Sequence, residues 1–274
     1  MEKKQNRRLL SDYNNKKDLS IYFILRVLVI IVMIRQIFIG NWNNVFLCIF
    51  TLILFLIPIV IDRKFNISLP NTLETIILLF IFSAEILGEI NEFYIHFVHW
   101  DTILHTLNGF LCAAIGFSMI DILNRKEVFH TKMSPIFVAL VAFCFSMTVG
   151  VMWEFFEYGM DTVFRTDMQK DDIIASISTV NLEPNGKNIP VVINNIEKTI
   201  IQSRDKSGNL VETIIEGGYL DIGLSDTMKD LIVNFVGAVA FSIIGLLYIK
   251  NKEDYKFAEQ FIPVMKKSKN IENK

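Results

Sequence analysis

The chain of 274 residues is 52% hydrophobic with a mean hydropathy of +0.41, too apolar for an ordinary soluble domain. Its net charge is −2, with no basic groove or aromatic–basic interleaving, so nothing in it points to nucleic acid. Phenylalanine is heavily used (23), and most apolar residues lie in long runs instead of scattered core positions, the pattern of membrane-spanning segments.

The N-terminus is polar and basic (Lys3, Lys4, Arg7, Arg8, Lys16, Lys17), and no small-residue cleavage site follows the first apolar run. This predicts a retained first helix in place of a cleaved signal peptide. Six spans are predicted, at about 19–39, 45–61, 72–90, 102–123, 136–158 and 231–249, the last within a helix over 226–250. Arg26 sits inside the first span with no partner evident in sequence, and snorkelling is the expected outcome. Glu74 opens the third span, where it suits the helix dipole or a cap. Cys48, Cys112 and Cys144 lie in apolar runs without metal spacing and read as packing residues.

Lysine and arginine in the flanks set the orientation. They precede the first span and occur in the second loop (Arg63, Lys64) and the fourth (Arg125, Lys126, Lys132). They also follow the last span (Lys250, Lys252, Lys256, Lys266, Lys267, Lys269), and are absent from the first loop (Gly40–Asn44) and the third (Asn91–Asp101). Both termini are therefore expected in the cytoplasm, with residues 251–274 as a cytoplasmic tail and the bacterial plasma membrane as the location. Between the fifth and sixth spans lies a polar segment, 165–225. It carries β-branched alternation at Ile189–Asn194 and Lys198–Gln202, then a turn signal, Asp205–Asn209, leading into Leu210–Ile215. At least one β-hairpin is predicted there. The expected fold is thus an all-α polytopic membrane protein. Residues 1–164 form a five-span membrane domain, followed by a small β-rich extracytoplasmic insertion and a sixth transmembrane helix.

Three spans carry polar stripes at one end. Asp101, His105 and Asn108 open the fourth; Glu154, Glu157 and Asp161 close the fifth; Asp226, Asp230 and Asn234 open the sixth. Spacings of three and four place each trio on one helix face. The orientation puts all three at the outer level, with Glu85 and Glu89 of the third span, His96 and His99 of the next loop, and Arg35 as a counter-ion. Each feature also has an ordinary explanation. Carboxylates beside Trp153 and Tyr158 suit a helix end within an interfacial aromatic belt. Asp226 and Asp230 suit a helix N-terminus. Asn234 is harder to explain so, because an unpaired amide in hydrocarbon is costly, and Gly237 beside it suits close helix approach. His105 is open to three roles: metal ligand, general base, or a strut between helices. Eight carboxylates (Glu85, Glu89, Asp101, Glu154, Glu157, Asp161, Asp226, Asp230) outnumber the cations Arg35, Arg165 and Lys229. A cluster of that size repels itself, so a bound divalent cation is expected: magnesium, manganese or calcium with oxygen ligands, zinc or iron if His105 joins.

The order Asp101-x-x-x-His105, Trp153-Glu154-x-x-Glu157 with Asp161, then Met168-Gln169, and Asp226-Thr227-Met228-x-Asp230 with Asn234 and Gly237, resembles the YjdF-like bacterial inner-membrane proteins. More distantly it resembles the VanZ-like group. The likeness covers residues 70–170 and 223–249 and implies a multi-pass envelope protein without assigning chemistry.

Three functions follow from these residues. The first is a metal-dependent enzyme at the outer leaflet, acting on a lipid, a lipid-linked envelope precursor or a peptide. Glu154, Glu157 and Asp230 would hold the metal, with Asp161, Asp226 and His105 as further ligands and Asp101 orienting His105; His105, Glu154, Glu157 and Asp101 are the catalytic candidates. The second is cation or proton transport, against which no inner half-path or inverted repeat is evident. The third is a non-catalytic envelope protein that binds a partner through its insertion.

Overall fold

The computed structural model describes residues 2–64, 67–125 and 133–265, with side chains from residue 20 onward except at 62, 63, 67, 125, 264 and 265. Lys126, Lys132, Lys266, Lys267 and Lys269 of the flank-charge argument lie outside the described residues. So do the side chains of Lys3, Lys4, Arg7, Arg8, Lys16, Lys17, Arg63 and Arg125.

The chain begins with α1 (Glu2–Ile39), α2 (Trp42–Leu54), α3 (Ile57–Lys64), β1 (Ile67–Ser68) and α4 (Asn71–Phe82). A π-helical segment (Ser83–Ile90), α5 (Phe93–His96), α6 (Trp100–Arg125) and α7 (Pro135–Phe164) follow. Six short strands come next: β2 (Asp172–Ile174), β3 (Ile177–Thr179), β4 (Val191–Ile193), β5 (Lys198–Arg204), β6 (Leu210–Glu216) and β7 (Tyr219–Asp221). The chain then runs through α8 (Leu224–Lys250), a 3-10 turn (Lys256–Gln260) and β8 (Val264–Met265). Among the described residues, five helical stretches are long and apolar enough to cross a membrane: Ser20–Ile39, Trp42–Ile61, Trp100–Asn124, Pro135–Phe164 and Leu224–Lys250. The stretch expected as a third span is not among them. It is α-helical only to Phe82, after which its hydrogen bonds widen to the i→i+5 pattern, so Glu85 and Glu89 lie on π-helical backbone.

The chain forms two compact units, residues 1–150 with 231–274 and residues 151–230. In the first unit, one core joins α1, α2, α4 and the π segment through Leu25, Val29, Cys48, Phe55, Leu78, Ile81 and Ile86. Pro58 has no N–H to offer the backbone ladder, and near this break the Phe55 carbonyl accepts from the Tyr22 hydroxyl at 2.6 Å. Arg26 does not stand alone: its guanidinium lies 4.1 Å from the Tyr22 ring centroid and donates to the Tyr22 hydroxyl at 2.5 Å. The π segment is braced similarly, with the Trp100 indole donating to the Ser83 carbonyl at 3.3 Å and the Asn91 side chain to the Ile86 carbonyl at 2.8 Å.

A second core of the same unit gathers Ala113, Ala114, Phe117, Val138, Ala142, Ala238 and Phe241 from α6, α7 and α8. It includes Ala258 and Ile262, both fully or almost fully buried. The segment after α8, expected as a tail, therefore folds back as far as Met265. Phe261 meets Phe110 edge-on at 5.2 Å, Tyr248 donates to Glu259 at 3.2 Å, and β8 pairs antiparallel with β1. Helices α6 and α8 approach each other through glycine. A Cβ on Gly237 would run into the Thr106 carbonyl oxygen, and one on Gly109 into the Asn234 carbonyl oxygen. Gly237 thus has the packing part its position suggested.

The strands of the second unit form three antiparallel pairs, β2–β7, β3–β4 and β5–β6. The last is the expected hairpin, in register Ile200↔Ile214 and Ile201↔Thr213. Its turn is organised by Asp205, whose carboxylate accepts from the backbone N–H groups of Asn209 at 2.9 Å and Ser207 at 2.8 Å, while Gly208 supplies the positive φ. These bonds, the Asn209 N–H first, hold the Asp205 carboxyl below its usual range.

Two glycine substitutions test this packing. Gly237→Ala sets a methyl group against backbone and is expected to cost about 1–3 kcal/mol, read as a lower melting temperature in detergent. Gly159→Ala, which meets nothing within 4 Å, is expected to leave the melting temperature unchanged or slightly higher.

Candidate functional site

The second half of α7 is an inside-out helix. Its apolar side chains point outward, Phe155 69% and Tyr158 61% exposed, while Glu154 and Glu157 are only 4% and 7% exposed. That is the reverse of a soluble amphipathic helix and the arrangement expected of one surrounded by hydrocarbon. The spacing of three produces it, because Glu154 and Glu157 share a face from which the aromatics between them diverge. Asp230, in the opening turns of α8, is 4% exposed. Carboxylate oxygens of Glu154, Glu157 and Asp230 all lie within 4.8 Å of one another. Trp153, on the outward face, turns its indole N–H back to donate to Glu157 Oε1 at 2.8 Å.

Asp161 and Asp226 belong to the same stripes but have different surroundings. Asp161 lies one turn beyond Glu157, and Asp226 one turn before Asp230. Asp161 Oδ1 accepts from Met168 N–H at 2.7 Å and the Thr166 hydroxyl at 2.8 Å, and its Oδ2 from Gln169 N–H at 2.8 Å. Asp226 Oδ2 accepts from Lys170 N–H at 2.7 Å. Their lone pairs thus serve the chain that leaves α7. The expected counter-ions are engaged elsewhere or exposed: Lys229 pairs with Asp172, and Arg35 and Arg165 are exposed. Near these groups, Asp171 is pushed above the usual carboxylate range, first by desolvation and then by Asp167, Asp161 and Asp221.

The remaining candidates lie in the first unit. His105 Nε2 is 3.4 Å from Asp101 Oδ1, a pair within one helix turn. Asn108 donates to Asn234 Oδ1 at 3.3 Å, and Asn234 Nδ2 reaches the Met147 sulfur at 3.6 Å. Ser146 donates to the Gly109 carbonyl at 2.7 Å. Asn234 is thus a helix-to-helix clasp within this unit. Glu85 is half-buried, and Glu89, His96 and His99 are exposed. Sequence reasoning missed Ser146 and the Trp153 hydrogen bond. Ser146 was findable, since Ser146, Gly150 and Glu154 follow one another at intervals of four on α7.

A family model described as "Predicted membrane protein (DUF2238)" matches residues 19–179, more than half the chain, and the chain belongs to that family. An "Uncharacterized protein" of Thermotoga maritima is 24% identical over 123 residues, which cover 44% of this chain and 62% of that relative. The chain therefore spans less than two thirds of that relative's length. No solved structure matches. These findings do not carry the VanZ-like resemblance.

The amide clasp makes its own prediction. Asn108→Leu is expected to cost about 1 kcal/mol by depriving Asn234 of a partner. Adding Asn234→Leu should cost less than the sum of the single changes, as read from a double-mutant cycle of unfolding in mixed micelles.

Proposed function

We propose that this chain is a multi-pass protein of the bacterial plasma membrane in which Glu154, Glu157 and Asp230 together hold one hard divalent cation. The mutual approach of these three buried carboxylates carries the reading. Two unit charges about 4 Å apart repel by roughly 4 kcal/mol at an effective dielectric near 20. Three ionised carboxylates at such range require either shared protons or a counter-charge. Asp161 and Asp226 accept from backbone N–H groups and Lys229 pairs with Asp172, and a small cation among the three oxygens would offset their mutual repulsion.

The donor set fits such an ion. On an octahedral cation with bonds of about 2.1 Å, neighbouring ligand oxygens stand about 3 Å apart and opposite ones about 4.2 Å apart. The three oxygens lie within 4.8 Å of one another, so a bound ion would ask them to draw in by no more than a short distance. Oxygen donors alone favour magnesium, manganese or calcium over zinc. Three protein ligands leave positions for water or substrate, so the bound ion would supply Lewis acidity towards a phosphoryl or acyl oxygen. The trio would face the cell exterior with both termini in the cytoplasm, which suits a lipid or lipid-linked envelope substrate. Trp153 holds Glu157 in place through its indole N–H.

A second reading, cation or proton transport, has one observation in its favour. On α8 the buried polar residues Asp230, Asn234 and Ser242 recur at intervals of four and eight, so the polar face does not stop at the helix end.

Metal analysis and thermal shift of the detergent-purified protein test the first reading. Manganese or magnesium is expected to raise the melting temperature of the wild type, and chelator to lower it. Glu154→Gln with Glu157→Gln should abolish both responses. A wild type with no stoichiometric metal and no response to chelator overturns the cation reading, and cation-dependent flux in proteoliposomes would put transport in its place.

A further inference from the structure

We propose that the segment Thr166–Asp172 is a releasable lid over the Glu154–Glu157–Asp230 trio, latched by Asp161 and Asp226. It regulates access to the trio, and its part in cation exchange rests on the reading given above.

Two registers place the lid. On α7, Asp161 follows Glu157 by four residues, and on α8, Asp226 precedes Asp230 by four. The two latch residues therefore form the layer next to Glu157 and Asp230, one helical turn nearer the helix ends. The segment crosses between them as consecutive donors: Met168 and Gln169 N–H to Asp161 on one side, Lys170 N–H to Asp226 on the other. The turn into it is made by Arg165, whose φ of 59° reverses the chain directly after α7. On the α8 side, the Gln169 side chain donates to the Thr227 hydroxyl at 2.5 Å, and Lys229 pairs with Asp172. Gly223, at φ +111°, leaves room for Gln169: a Cβ there would stand 2.6 Å from Gln169 Cβ.

What holds the segment is as informative as where it lies. No residue from Thr166 to Asp172 is buried, and Thr166, Asp167 and Asp171 are exposed. Its attachments on both sides are hydrogen bonds and an ion pair, all of which water can replace. Segments of that kind open locally without global unfolding. Opening exposes the Asp161 and Asp226 carboxylates beside the trio, so the open lid presents added negative charge to an arriving cation.

Carboxyl labelling of the full-length protein in detergent tests this without requiring a metal. A water-soluble carbodiimide with an amine nucleophile is applied, and modification of Glu157 and Asp230 is followed by mass spectrometry beside amide exchange of residues 168–170. The wild type should label slowly. Asp161→Ala should deprotect the Met168 and Gln169 amides and raise labelling about tenfold, the scale set by hydrogen bonds to a charged carboxylate. Gln169→Ala, a milder change that removes only the side-chain bond to Thr227, should give a smaller rise in the same direction. Deprotected amides with unchanged labelling of the trio in both variants overturn the lid. Manganese added to the wild type separates the two proposals: faster labelling in the variants without protection by manganese keeps the lid and removes the cation.

Discussion

A polar group inside an apolar helix must find its partner within the protein, because hydrocarbon offers none. That single constraint organises most of what the chain does with its unusual residues. It turns α7 inside out, with aromatics directed outward and Glu154 and Glu157 inward. It joins Asn108 to Asn234 across α6 and α8. It sets Arg26 on Tyr22, whose hydroxyl in turn satisfies a carbonyl beside the break at Pro58. Even the widened ladder of the π segment is braced by side chains, Trp100 on Ser83 and Asn91 on Ile86. The same accounting would be nearly neutral in water, where each group has an alternative partner.

Apolar side chains give little drive for helices to associate when the surroundings are equally apolar, so close approach has to be built into the backbone. Gly109 and Gly237 do this for α6 and α8, each lying against a carbonyl oxygen of the opposite helix. Gly150 plays the same part for a side chain, since a Cβ there would stand 2.7 Å from the Asn234 amide nitrogen. The glycines and the amide clasp are one device: the backbones must come close for two short amide side chains to meet. Below this crossing the packing becomes an ordinary aromatic and alanine core, which extends onto Ala258 and Ile262 of the returning chain.

Much of this was legible because periodicity is a local property. The stripes on α6, α7 and α8 follow from spacings of three and four, and the β5–β6 hairpin follows from alternation around an Asp-x-x-Gly turn. What was not legible depends on residues far apart in sequence. The hydropathy of 72–90 gives no sign of a change from i→i+4 to i→i+5 bonding at Ser83, because the two ladders use the same residue types. The return of residues 255–263 onto the second core is hidden by the charges of Lys252, Glu253, Asp254 and Lys256. The apolar residues that bury, Ala258 and Ile262, are four apart on an otherwise polar stretch. Short pairs such as β1–β8 and β2–β7 join segments separated by most of an insertion or most of the chain, and two or three residues carry too little pattern to announce them.

The stripes also show where periodicity runs out. Glu157 and Asp161 are four apart on one face of α7, as are Asp226 and Asp230 on α8, and by spacing alone all four are equal candidates for a shared ligand. The structure divides them by what they meet. Asp161 and Asp226 lie beside a chain segment that presents consecutive backbone N–H groups, two of them to Asp161 and one to Asp226, and each such bond occupies lone pairs that an ion would need. One turn further in, Glu157 accepts from the indole of Trp153, and the oxygens of Glu154, Glu157 and Asp230 converge on one another. Burial sharpens the division, because repulsion that water would screen near the helix ends is felt at nearly full strength once the group is enclosed. The same side-chain chemistry thus serves as a latch in one layer and as an anionic trio in the next, and the distinction rests on the loop between α7 and β2 and not on either helix.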